Sequence, residues 1–351
     1  MPAAISRLSS QKTLDLGDNL IVEVNNTNFS ALTKLYGLRL SGNKLSTIKD
    51  DVFANLDNLN VLNLSHNRIT MIGERSFKNL NNLRALRLDN NMLVDLNDLV
   101  SSLDNLRWLN VSTNNLQWFD FASIPKSLEW LDVHNNRIKR IGNYYRLKTG
   151  YNLHIFDASF NDLKILEPGG LLANITHIYI NNNKIANVSE TSFLGLEGLR
   201  LVDLQGNALV SLALPKMSSS YGPRLLLADN PWNCDCSLSW KRSPAKKPGL
   251  TGDLMPTIGD LNSVVCSFSK VPLVSIPSSD LLCKYSAHCQ PDCFCCDFFA
   301  CDCRMQCPDN CTCFHDSQWT SNKIKCSASN HIDVPALFPW TPLRSTLTAT
   351  T

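Results

Sequence analysis

Along two-thirds of this chain the apolar and polar positions return in one frame every 22 to 25 residues. Two consecutive passes read Leu59-x-x-Leu62-x-Leu64-x-x-Asn67-x-Ile69 and Leu83-x-x-Leu86-x-Leu88-x-x-Asn91-x-Leu93. Leucines two apart in a short strand point to the same side, so each pass predicts one strand with an inward apolar row and outward variable places. The polar constant of the frame is an asparagine: Asn19, Asn43, Asn67, Asn91, Asn114, Asn136, Asn161, Asn183, Asn207 and Asn230. It falls where the chain leaves the strand. Buried there, its amide can donate to and accept from backbone groups that the turn leaves unpaired. Stacking on the asparagine of the next coil would extend a polar ladder through an apolar core.

This spacing is the leucine-rich repeat signature. It predicts an α/β leucine-rich repeat solenoid over residues 1–230, a horseshoe of about ten repeats with a parallel concave sheet and an irregular convex side. Phe29, Phe53, Phe77 and Phe193, each followed by a leucine three residues on, read as convex core filling. The pattern is under way by Leu14 with no polar cap before it, so an open leading face or further upstream repeats are expected. In repeats five to seven Pro125, Tyr144, Tyr145, Phe156 and Ala158 depart from the frame, which marks a change of curvature or a protruding loop.

The outward places can be assigned. The third place of the strands carries Val61, Ala85, Trp108, Trp130, Ile155, His177 and Leu201, and the fifth carries Arg39, Asn63, Arg87, Asn110, Asp132, Asp157, Tyr179 and Asp203. Trp108, Trp130, Ile155, His177 and Tyr179 are the candidate ligand contacts. Two tryptophans on adjacent strands are favoured anchors for a partner; the alternative is that they cover the sheet and pack on each other. The fifth column passes from basic to acidic, so a partner lying there would meet both signs.

A formal charge of +2 on 351 residues gives no reason to expect nucleic acid. All fourteen cysteines lie between Cys234 and Cys326, which reads as a disulfide framework in an oxidising compartment. Seven glycosylation sequons agree: Asn25, Asn28, Asn63, Asn110, Asn174, Asn187 and Asn310. Those at Asn63 and Asn110 would put sugar on the concave face. Zinc at Cys-x-Cys pairs beside His288 and His315 is the competing reading of the cysteines. No nucleophile elbow, phosphate loop or His-Glu-x-x-His occurs, so no enzyme, cofactor or metal is expected. Neither a signal peptide nor a membrane span is read from the sequence.

Asn230-Pro231-Trp232-Asn233-Cys234-Asp235-Cys236, with Trp240, Cys266 and Cys283, resembles the C-terminal flanking cap of extracellular leucine-rich repeats, here residues 231–288. That resemblance implies bonds Cys234 to Cys266 and Cys236 to Cys283, with Trp232 and Trp240 over the last coil. Cys307-Pro308-Asp309-Asn310-Cys311-Thr312-Cys313 with Cys326 resembles an N-terminal cap and implies bonds Cys307 to Cys313 and Cys311 to Cys326. Residues 289–326 form a cysteine-rich junction and this second cap, with the pairing of Cys289, Cys293, Cys295, Cys296, Cys301 and Cys303 open. Residues 327–351 read as a lead-in or tail. A C-terminal cap running through such a junction into an N-terminal cap resembles the ectodomain of invertebrate Toll receptors. The resemblance implies an extracellular region that binds a protein, in the family often a Spätzle-like cystine-knot cytokine. It also implies a receptor homodimer or heterodimer, anchored in the plasma membrane through a segment this chain lacks. An adhesion or matrix protein of the repeat class, without intracellular signalling, is the alternative.

Overall fold

The computed structural model describes residues 9–143, 145, 147, 150–215, 222–242, 256–289, 304–317 and 322–326. The described chain divides into two compact units, one of residues up to 209 with 214–230 and 256–263, the other of 210–213, 231–242 and the described residues from 264 onward.

The first unit is a leucine-rich repeat solenoid built on one parallel sheet of eleven strands. In chain order these are β1 Thr13–Asp15, β2 Gly37–Arg39, β3 Val61–Asn63, β4 Ala85–Arg87, β5 Trp108–Asn110, β6 Trp130–Asp132, β7 Ile155–Asp157, β8 His177–Tyr179, β9 Leu201–Asp203, β10 Arg224–Leu226 and β11 Thr257–Ile258. Each pairs with the next without a register slip, so the third place of one strand lies beside the third place of its neighbour. The inward leucine of the strand is excluded from solvent, as at Leu62, Leu86, Leu109 and Leu131. Between strands β1 and β10 of the first unit the described residues form one four-residue α-turn, Asn26–Phe29, a 3-10 turn, Phe121–Ser123, and three two-residue parallel strand pairs, Thr47–Ile48 with Met71–Ile72, Phe119–Asp120 with Ile141–Gly142 and Ile165–Leu166 with Asn187–Val188. Phe29, Phe53 and Phe77 stack among these connections with centroids 5.7 and 6.2 Å apart. Where the repeats depart from the frame, Phe119, Phe121 and Phe156 fill the interior instead, at centroid separations of 5.3 to 6.0 Å.

The asparagine ladder is made with backbone, and its amides do not bond one another. Each Nδ2 from Asn43 to Asn230 donates to two carbonyls of its own coil and one of the coil before, as Asn114 does to Val111, Ser112 and Leu88 at 3.0 to 3.1 Å. Each Oδ1 accepts an N–H of the preceding coil, as Asn114 does from Leu93 at 2.9 Å. Asn19 is exposed and bonds only within its own coil.

Directly before every one of these asparagines stands a residue in the left-handed region, with φ between 51° and 67°: Asp18, Gly42, His66, Asn90, Thr113, Asn135, Phe160, Asn182, Gly206 and Asp229. Most are Gly, Asn or Asp, which enter this region at low cost. Phe160 is not, and at 54% exposure its ring gains little burial in return. Phe160→Asn is therefore expected to raise stability by about 1 kcal/mol, read from the midpoint of urea unfolding.

The eleventh strand has no repeat signature. It leaves Leu227 and Ala228 without a full strand to bond, and Asp260, just beyond β11, takes their N–H groups at 2.7 to 2.9 Å and the Gln205 amide at 2.9 Å.

Among the described residues the second unit carries the disulfides Cys234–Cys266, Cys236–Cys283, Cys307–Cys313 and Cys311–Cys326. Within it Cys283–Tyr285, Thr312–His315 and Asn322–Lys325 form an antiparallel sheet, and the Tyr285 hydroxyl donates to Asn322 at 2.9 Å. Trp232 is wholly buried and bridges to Cys266 through its backbone, while the Trp240 indole donates to the Leu212 carbonyl at 2.8 Å. Tyr144, the cysteines from Cys293 to Cys303, and residues 327–351 lie outside the described residues.

Candidate functional site

The third and fifth places of the strands project onto the open face of the main sheet. Register brings the five candidate contacts together on four consecutive strands: Trp108 beside Trp130, Trp130 beside Ile155, Ile155 beside His177, with Tyr179 two residues along β8. The two indoles lie parallel, with 1° between planes and 4.6 Å between centroids. All five side chains are half-buried. His177 meets the Thr176 hydroxyl at 2.8 Å; burial, with the Arg200 charge nearby, holds its pKa below the usual imidazole value.

The fifth column has a structural duty that the sequence did not display. At most of its Asn and Asp positions one side-chain oxygen accepts the N–H two residues on, closing an Asx turn. The pairs are Asp15 with Gly17, Asn63 with Ser65, Asn110 with Ser112, Asp132 with His134, Asp157 with Ser159 and Asp203 with Gln205, all at 2.8 to 3.0 Å. Asn63 and Asn110 are half-buried, with their oxygens held by the serine of their own sequon.

The face is not offered to a partner with both signs. Arg39 is held by Asp15 at 3.1 Å and Asp18 at 2.6 Å, and Arg87 by Asp89 at 2.9 Å, so the basic half of the column is neutralised by its own neighbours. Among the described residues no lysine or arginine comes within 4 Å of the carboxylates of Asp132, Asp157 or Asp203. The consequence is a face acidic toward its C-terminal strands. Burial pushes the carboxyl groups of Asp132 and Asp203 up, and each feels the charge of Asp157. Tyr179, between Asp157 and Asp203, is pushed up by burial and then by both charges. These three aspartates are the site residues that a reading of apolar anchors alone passed over; their in-register spacing was the available signal.

Two groups of metal-ligand type come together among the described residues. Cys236 and Cys283, beside His315, are joined in a disulfide. The ligand atoms of Asp132, His134 and Asp157 lie within 4.8 Å of one another, and there the His134 ring nitrogen already bonds Asp132 at 2.7 Å. Among the described residues no helix is long and apolar enough to cross a membrane.

The leucine rich repeat family matches residues 9–69, 33–93 and 57–116. Toll-like receptor 7 of Drosophila melanogaster is 43% identical over 97% of this chain. The chain spans about a quarter of that relative, 24% of its length. Mouse lumican is 30% identical over 33% of this chain and 40% of its own. Among solved structures, the leucine-rich repeat domain of APL1B superposes with a TM-score of 0.54 at 23% identity, over 63% of this chain and 65% of that one. A TLR13–ssRNA13 complex gives 0.56 at 20% identity, over 76% and 43%. These last two show the fold. The match to the Drosophila receptor runs through the repeats and the cysteine-rich unit alike, whereas the lumican match covers a third of the chain. The chain belongs to the invertebrate Toll family of leucine-rich repeat proteins.

Proposed function

We propose that this chain is an extracellular recognition region of a Toll-type receptor and that it binds a protein ligand on the open face of β5 to β9. The observation that carries this reading is the stacked pair Trp108 and Trp130, half-exposed on a face that no repeat packs against. A cystine-knot cytokine of the Spätzle type is the ligand class that the family suggests, with the receptor acting as a dimer in the plasma membrane. Disulfides in the second unit fit an oxidising, extracellular setting. Sugar on Asn63 would cover strand β3 and direct a protein toward the later strands, whereas contact at Trp108 on β5 requires Asn110, whose side-chain oxygen accepts from the Ser112 N–H, to carry none. The exposed sequons Asn25, Asn174 and Asn187 are not at the outward strand places.

Trp108→Ala combined with Trp130→Ala removes two anchors whose loss typically costs about 2 kcal/mol or more, roughly 30-fold in affinity. The measurement is surface plasmon resonance of a recombinant Spätzle-type cytokine over the immobilised chain, with circular dichroism as the check on folding. A folded double variant that binds as tightly as the parent would mean that the indoles only cover the sheet and each other.

A further inference from the structure

We infer that the partner presents an arginine-bearing basic segment to strands β6 to β9, with guanidinium groups lying against the indole stack and pairing with the half-buried Asp157, drawn there by the added charge of Asp132 and Asp203, which are themselves buried. This rests on the reading of the open face as a protein-binding surface and specifies the chemistry of the occupant.

Charge decides the sign. The third and fifth places of β6 to β9 hold three carboxylates and no lysine or arginine. Asp132 and Asp157 are paired in register on adjacent strands, about 4.8 Å apart in the sheet, and the charge of Asp157 is felt at Asp132, Tyr179 and Asp203. Arg200 stands just before β9, and its field acts on His177. His134 bonds Asp132. An incoming cation gains attraction to all three carboxylates and relieves their mutual repulsion. On β2 and β4 the same row is closed to a cation, since Arg39 and Arg87 occupy it with their own acids.

Shape chooses arginine. One face of the Trp130 indole is covered by Trp108, so its other face is turned toward β7, where the residue at the same place is Ile155 and the next outward is Asp157. An aromatic face beside a carboxylate suits a planar guanidinium, which can stack and donate two parallel hydrogen bonds to the carboxylate at once. An ammonium can use the charge but not the plane, and a metal ion could use the Asp132, His134 and Asp157 atoms but would leave the indoles without a role. No sequon falls at the third or fifth place of β6 to β9.

The test titrates the whole chain with the peptide acetyl-Arg-Gly-Arg-Gly-Arg-amide and its lysine and citrulline counterparts, by isothermal calorimetry at low salt. The arginine peptide is expected to bind saturably, about threefold or more tighter than lysine and at least about tenfold tighter than citrulline. Asp132→Asn with Asp203→Asn, which keeps an oxygen for each Asx turn, and separately Trp130→Ala, should each weaken it by about tenfold. Equal binding of arginine and citrulline peptides, or no change in the amide variant, overturns the proposal. So does equal binding of arginine and lysine, or binding that appears only when zinc is added. If the cytokine loses affinity for the double tryptophan variant while the peptides show no preference for arginine, recognition at this face stands and the arginine assignment alone falls.

Discussion

Replacing Cys236 and Cys283 together by serine is expected to lower the stability of the C-terminal unit by about 4 kcal/mol. Their bond closes a loop across 47 residues of sequence, and the chain-entropy cost of opening a loop grows with its length. The bond Cys307–Cys313 closes only 6, so Cys307→Ser with Cys313→Ser should cost about 2 kcal/mol by the same reasoning. The order of the two is the sharper test, because it holds whatever the absolute stability of the unit. Thermal unfolding of each variant, followed by limited proteolysis at one temperature, measures it. A larger loss for the short loop would show that packing around the sulfurs, and not chain entropy, dominates. Residues carrying this framework also make the unit sensitive to reductant, and the repeat unit, with no cysteine before Cys234, should be indifferent to it.

Asn114→Ala should cost about 3 kcal/mol. The substitution removes four hydrogen bonds, but their losses are unequal. Leu88 O keeps the bond from Asn91, Val111 O that from Asn136, and Ser112 O that from the Asn90 N–H. The Leu93 N–H, bonded by Asn114 Oδ1, is left with nothing in a fully apolar setting. A buried orphan donor costs roughly 1–3 kcal/mol, and the remaining bonds add about 0.5–1.5 kcal/mol each at most. Asn114→Asp keeps the acceptor but points a buried charge at three carbonyl oxygens, so it should be at least as damaging. Asn19→Ala, at an exposed position, should fall within about 0.5 kcal/mol of the parent. Hydrogen exchange at the Leu93 amide, with urea unfolding for the total, checks the assignment; an unaltered Leu93 exchange rate in Asn114→Ala would refute it.

The repeat fold was legible because its two rules are local: leucines two apart must share a side, and an asparagine must follow them. Other features depend on partners far along the chain. Strand β11 is two residues, Thr257–Ile258, between Pro256 and Gly259, and only its pairing with β10 makes it part of the sheet. The left-handed residues before each asparagine were written in plain view at Asp18, Gly42, Asn90, Asn135, Asn182, Gly206 and Asp229, but His66, Thr113 and Phe160 hide the rule. On the open face, the sequence placed Arg39, Arg87 and the aspartates in one column. Which of them were spent on internal pairs could be seen only with Asp18 and Asp89 brought alongside. The acidic character of β6 to β9 is therefore a property of the folded surface, invisible in a net charge of +2.

The ladder bonds each asparagine to its own coil and to the one before, never to the one after. A coil is thus a self-contained word in a one-way text: the strand, the left-handed residue and the asparagine together supply what the preceding word needs to be complete. Excising a whole word, for example from Arg68 to Asn91, would bring Asn114 up to the groups that Asn91 had served and leave the grammar intact. Cutting within a word would not. Lineages carrying such arrays can therefore lengthen or shorten them by whole coils, changing the reach of the open face while inheriting its bonding unaltered.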